Sequence, residues 1–147
     1  MMKLRRILVP ISDDAAAEEG LKLACFLARH SKAKIYVVYI IEVKRSLPLD
    51  AQLPGDTLRA ESVLTRAEEI AADEDCEVET DLLQARDVGH AIIDEAQERA
   101  VDMIVMGVGY KKRFGFYHVS DTISHVVREA PCRVLLLQET PDGKVKQ

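Results

Sequence analysis

The sequence predicts an α/β protein built on one five-stranded, parallel, doubly wound sheet with helices on both faces. Three observations carry that reading. Short β-branched and aliphatic runs alternate with longer segments of helical periodicity, the signature of repeated strand–helix–strand units. Two of the runs, residues 35–41 and 103–106, are almost wholly apolar or aromatic, as strands covered on both faces must be. Gly107 and Gly109 then stand just past the second run, where an open sheet of this class leaves its ligand crevice.

Each element follows from local chemistry. Residues 6–11 form the first strand. Ser12, Asp13 and Asp14 offer capping side chains to the next helix, and Glu18 and Glu19 suit its positive end. That helix runs to about residue 30, with Leu21, Ala24, Cys25 and Ala28 at helical spacing. Residues 34–42 are the second strand. Residues 43–55 carry Pro48, Pro54 and Gly55 and read as a loop, a candidate cover over the crevice. Asp56 caps a second helix to about residue 73, with Leu58, Val63, Leu64, Ala67, Ile70 and Ala71 on its apolar face.

Residues 77–83 alternate at first (Val78, Thr80, Leu82), as an edge strand does. Asp87 opens a third helix with Ile92, Ile93 and Ala96 facing inward, and residues 103–106 are the fourth strand. Ser120 is a good N-cap for a short helix with apolar Ile123, Val126 and Val127. Ala130-Pro131 stops that helix, and residues 133–138 are the last strand. Residues 1–139 therefore make one domain, and 140–147 a polar, flexible tail.

Composition excludes several function classes. Net charge is −5, aromatics are 5% of the chain and Trp is absent, which fits neither a basic nucleic-acid footprint nor a base-stacking platform. No apolar run approaches the roughly 18–20 residues a membrane span needs, so no membrane partner is expected. The apolar stretch near the N-terminus, residues 7–11, is too short for a signal-peptide core. Three cysteines, Cys25, Cys76 and Cys132, are odd in number and far apart, pointing to a reduced, cytoplasmic protein.

Catalytic patterns are weak. The turn after the first strand has no glycine, so a dinucleotide fingerprint is missing, and so is a Walker A loop. His30, His90, His118 and His125 show no metal-ligand spacing, and no metal is expected. His125 lies one turn after Asp121, which favours an Asp–His contact on a helix face. Asp13 and Asp14 could hold magnesium beside a nucleotide, but helix capping explains them more simply. Cys132 reads as a small core residue. What remains is a crevice with three cations, Lys111, Lys112 and Arg113, and Arg86 as a further one. These suit an anionic small molecule held by side chains as well as they suit a solvated basic loop.

Residues 7–11 (Ile-Leu-Val-Pro-Ile), 102–107 (Asp-Met-Ile-Val-Met-Gly) and 127–134 (Val-Arg-Glu-Ala-Pro-Cys-Arg-Val) resemble the universal stress protein (UspA-like) family over nearly the whole chain. The resemblance implies a sheet order of 3-2-1-4-5, a cytoplasmic stress-response protein and a homodimer formed through the last strand. For one branch of the family it also implies ATP bound at Gly-x-x-Gly-(nine residues)-Gly-(Ser/Thr). Against that pattern the first glycine is Gly107, the second falls on Tyr110 with Gly109 adjacent, and the last pair falls on Ser120 and Asp121. The family's aspartate after the first strand aligns with Ser12, with Asp13 one position on, and a glycine after the third strand aligns with Arg86.

Bare backbone lets phosphates approach amides, and an aspartate in place of a hydroxyl repels them. The expected function is therefore a non-catalytic binding or regulatory module with weak or no ATP binding. The alternative is an ATP-binding member with a shifted loop and at most slow hydrolysis. The candidate ligand set is Ile11, Ser12, Asp13, Tyr39, Ile40, Arg86, Gly107, Val108, Gly109, Lys111, Lys112, Arg113, Ser120 and Asp121. For the dimer, the last strand offers Arg133, Val134, Leu135, Leu136 and Leu137, of which the last four form an apolar edge that an unpaired sheet would leave open to aggregation.

Overall fold

A computed structural model describes residues 3–109, 112–113, 116–117 and 120–139. In chain order the elements are β1 (Arg6–Pro10), α1 (Ala15–Ser31), β2 (Lys34–Glu42), α2 (Pro54–Asp73), β3 (Val78–Ala85), α3 (Val88–Glu98), β4 (Met103–Val108), β5 (Lys112–Arg113), β6 (Phe116–Tyr117), α4 (Asp121–Glu129) and β7 (Arg133–Gln138). The main sheet runs β3-β2-β1-β4-β7 with every neighbouring pair parallel. Counted along the sheet's own strands, that is the 3-2-1-4-5 order of a doubly wound fold.

Both faces of the sheet are covered. Ile7, Val9, Ile35, Val37 and Val105 pack with Leu21, Ala24 and Cys25 of α1 and Ala67 and Ile70 of α2. Leu8, Ile104 and Met106 face the other way, onto Ile92 and Ala96 of α3 and Val126 of α4. Successive β1 residues thus alternate between two cores, and all three central ones are completely buried. That is why the strand reads as an unbroken apolar run.

Several local expectations need correction. Helix α2 begins at Pro54, and its N-cap, Leu53, makes no side-chain bond. Asp56 therefore sits inside the first turn rather than capping it. Proline is at home at this position, because its ring presets the helical φ and the N–H it lacks would have no partner. Leu58 is 69% exposed and Val127 53%, so neither belongs to a buried helix face. The loop between β2 and α2 does not cover the crevice; it is pinned beside the end of β3. Gln84 Nε2 donates to the carbonyls of Leu49 (2.8 Å) and Ala51 (3.1 Å), and Arg86 Nη1 donates to that of Lys44.

Strand β4 extends two residues further than expected, to Val108, and β3 runs on to Ala85. The basic loop contains a short antiparallel pair, Lys112 opposite Tyr117 and Arg113 opposite Phe116. Lys111 and the tail 140–147 lie outside the described residues.

Asp102 fastens the amino ends of the two central strands. Its Oδ2 accepts from the backbone N–H groups of Arg5 (2.7 Å) and Arg6 (2.9 Å), while its own N–H donates to the Arg6 carbonyl (2.8 Å). The Arg5 amide first, and then that of Arg6, hold its carboxyl below the usual carboxylate range. Because the folded pKa is depressed, the stabilisation is present above the unfolded value of about 3.9 and is lost as pH falls through the folded one. Asp102→Asn should cost about 1 kcal/mol at neutral pH, allowing for solvent screening at this partly exposed site. Urea unfolding of both chains should show that difference closing on acidification below the ordinary carboxylate range. A difference that persists there would refute the assignment.

Candidate functional site

The carboxyl ends of β1 and β4 open onto a crevice of about 430 Å³. Its walls come from four places: residues 10–12 and 14–17 at the end of β1 and into α1, residues 106–109 of β4 and just beyond, Val88 and Ile92 of α3, and Ser120, Thr122 and Ile123 at the start of α4. Glu139, just after β7, completes the lining.

Each wall has a local cause. Ile11 continues the β1–β2 pairing through its amide to the Val38 carbonyl (2.9 Å) and is buried. Asp14 is the N-cap of α1: its Oδ1 accepts from the Ala17 amide at 2.7 Å, and the Ser12 hydroxyl donates to its Oδ2 at 2.9 Å. Ser120 caps α4, its Oγ accepting from the Ile123 amide at 3.3 Å. The Glu139 amide donates to the Val108 carbonyl at 2.8 Å and extends the β4–β7 pairing past its last ladder residue.

The two glycines differ in kind. A Cβ on Gly107 would lie 1.7 Å from the Ala16 carbonyl oxygen, and one on Gly20 would lie 2.7 Å from the Gly107 nitrogen. Gly107 is therefore glycine because helix and strand backbones touch there. A Cβ on Gly109 would meet only the Glu139 Oε2, at 3.6 Å. The backbone at Gly109 is the bare one, and a carboxylate stands over it.

The crevice brings together Ile11, Ser12, Gly107, Val108, Gly109 and Ser120 from the expected set. Asp13 does not line it; its neighbour Asp14 does. Asp121 faces a separate groove between α3 and α4, shared with Glu42, Asp87, His125 and Arg128. Tyr39 and Ile40 pack against opposite cores of the sheet, and Arg86 is spent on the Lys44 carbonyl. The backbone of Lys112 and Arg113 lies in β5, after the crevice loop.

Sequence reasoning missed Asp14, Thr122 and Glu139 as crevice residues. Glu139 was within reach, because the residue after a last strand paired to β4 must emerge beside Gly109. The expected Asp121–His125 contact is replaced by others: His90 Nε2 lies 3.8 Å from Asp94 Oδ2, and the His125 ring packs on Gly89 and near the His90 ring. Among the described residues no group of three or more His, Cys, Asp or Glu side chains could hold a metal ion. Burial, and secondarily the Asp102 charge, pushes the Cys132 thiol up, as suits a packing residue.

Residues 3–138 match the model of the universal stress protein family. A universal stress protein of Methanocaldococcus jannaschii is 23% identical over 141 residues, covering 92% of this chain and 82% of that one. The structure of a universal stress protein from Archaeoglobus fulgidus superposes with a TM-score of 0.74 at 25% identity, over 92% of this chain and 94% of that one. A second Archaeoglobus fulgidus structure, a complex with dAMP, gives a TM-score of 0.71 at 22% identity, covering 92% and 98%.

The packing of the two glycines is open to direct test. Gly107→Ala should cost about 3 kcal/mol or more, because its methyl meets backbone that cannot move aside. Gly109→Ala should stay within about 0.5 kcal/mol of the natural chain. Equal unfolding midpoints for the two variants would mean that α1 can shift off β4.

Proposed function

We propose that this chain, which belongs to the universal stress protein family, works as a cytoplasmic, homodimeric, non-catalytic module whose crevice takes a small anionic ligand but binds ATP weakly or not at all. The observation that carries this reading is Gly107, whose backbone is pressed against Ala16 and so closed to a phosphate, leaving Gly109 the bare one of the pair. Two further features point the same way. The Ser120 hydroxyl is occupied as a cap, and the acidic residues Asp14 and Glu139 stand in the lining. The dAMP bound by an Archaeoglobus fulgidus relative supports a ligand that carries a phosphate.

The competing reading, an ATP binder with a shifted loop and at most slow hydrolysis, draws on the bare Gly109 backbone and the Thr122 hydroxyl, one residue past the expected position. Calorimetric titration of nucleotide-stripped protein with Mg-ATP separates the two. We expect no saturable heat up to about 1 mM. A micromolar dissociation constant for the natural chain would establish the competing reading instead.

The dimer is supported by the position of β7 at one edge of the sheet and by Leu136, which is 39% exposed. Pairing with a second copy would cover that row of unpaired backbone groups. No described helix is long and apolar enough to cross a membrane. In sedimentation equilibrium, the natural chain should behave as a dimer and Leu136→Lys as a folded monomer; a monomeric natural chain would remove the dimer from this reading.

A further inference from the structure

At the opposite end of the sheet, two cysteines 51 positions apart in sequence come together. Cys25 lies on α1, fully buried among Leu21, Ala24 and Ala28. Cys76 follows α2, and its position is set by how that helix ends. Asp75 takes a left-handed conformation (φ 52°), and the Cys76 amide reaches back to the Ala71 carbonyl at 2.8 Å. This is the reversed turn that closes many helices, and it points the residue after the left-handed one back toward the helix's own apolar face. Cys76 accordingly packs against the cluster that contains Cys25.

The surroundings hold the two sulfurs together. Arg29, one turn along α1 from Cys25, donates from Nη2 to the Glu74 carboxylate (2.6 Å) and carbonyl (3.2 Å), tying α1 to the end of α2. Both cysteines border one cavity of about 480 Å³. Cys76 is partly exposed, whereas Cys25 has no accessible surface. Cys132 packs against the core on the opposite face of the sheet and is no partner for either.

We propose that Cys25 and Cys76 form a peroxide-sensitive dithiol that closes into an intramolecular disulfide. The Cys76 sulfur, on the partly exposed residue of the two, attacks a hydroperoxide oxygen: an S–O bond forms, the O–O bond breaks, and the departing oxygen leaves as water with the thiol's proton. The Cys25 sulfur then attacks the Cys76 sulfenic acid: the S–S bond forms, the S–O bond breaks, and the hydroxyl leaves as water with the Cys25 proton. In sum, two thiols lose two electrons and hydrogen peroxide is reduced to two waters. Burial, followed by the neighbouring Cys76 thiol, pushes the Cys25 thiol well above the usual range, so Cys25 is not the sulfur that meets the peroxide and its own attack waits on loss of its proton. The Arg29 guanidinium acts in the opposite sense on the same thiol.

The test uses the full chain, reduced and then treated with hydrogen peroxide. Free thiols counted after denaturation should fall from three to one. Peptide mapping should find residues 25 and 76 linked, the chain about 2 Da lighter, and the change reversed by dithiothreitol. Cys25→Ala, a small apolar replacement, should leave Cys76 oxidising at a similar rate, but as a sulfenic acid captured by dimedone. The proposal fails if three thiols survive, if the link involves Cys132 or a second chain, or if dimedone captures nothing from Cys25→Ala.

Discussion

The close approach of α1 to the carboxyl end of β4 is the constraint on which the rest of the structure depends. Ala16 and Gly20, one turn apart on the helix, lie against Gly107 with no room for a Cβ on either glycine. Backbone contacts of that kind cannot be loosened by choosing another rotamer, so they fix helix and strand as one unit. The first turn of α1 is thereby drawn over the end of the sheet. Its cap, Asp14, becomes a wall of the crevice, and Leu21, Ala24 and Cys25 are brought down onto the central strands. Packing here comes first, and the binding surface is what the packing leaves.

That order of causes changes how the glycine-rich loop is understood. From sequence, Gly107 and Gly109 look like two parts of one phosphate cradle. In space only Gly109 offers exposed backbone, since Gly107 is consumed by the helix. The hydroxyl of Ser120 is likewise committed to the first turn of α4, and the acid side chains of Asp14 and Glu139 face the same space. A polyphosphate would find one bare glycine where two were expected, an arrangement better suited to a ligand with a single anionic group than to a triphosphate.

Legibility in the sequence followed the range of the interactions. A strand buried on both faces is written as an apolar run, so residues 34–42 could be bounded to the residue; the edge strand 133–138 was bounded by Pro131 ahead of it and its aliphatic run. Helix starts at Asp14, Asp87 and Ser120 were readable because a short polar side chain performs each cap locally. Asp56 misled because Pro54 starts the same helix by a different device. The β5–β6 pair has two-residue strands, too short for any periodicity to register. Of the crevice, Ile11, Ser12, Gly107 and Gly109 were legible because strand ends in an open sheet are where ligands go. Thr122 and the contact partners of Gly107 were not, since they depend on which backbones touch. The approach of Cys25 to Cys76 was hidden for the same reason: distance along the chain says nothing about a helix end folding back.

The two cavities sit at opposite ends of α1, whose 17 residues span about 25 Å. Ala15, Ala16 and Ala17 line the crevice, while Cys25, Ala28 and Arg29 line the cavity at the other end. Any influence of one end on the other must pass through this helix as a rigid-body displacement, because the interior around it is close-packed. Such a displacement has to part Ala16 and Gly20 from Gly107, where helix and strand backbones leave no room for a Cβ. A disulfide between Cys25 and Cys76 would fasten the far end of α1 to the turn after α2, where Arg29 and Glu74 already hold it. It would therefore reinforce the existing position of the helix rather than select a new one. On this geometry, thiol oxidation alters how firmly α1 is held and leaves the shape of the crevice as it was.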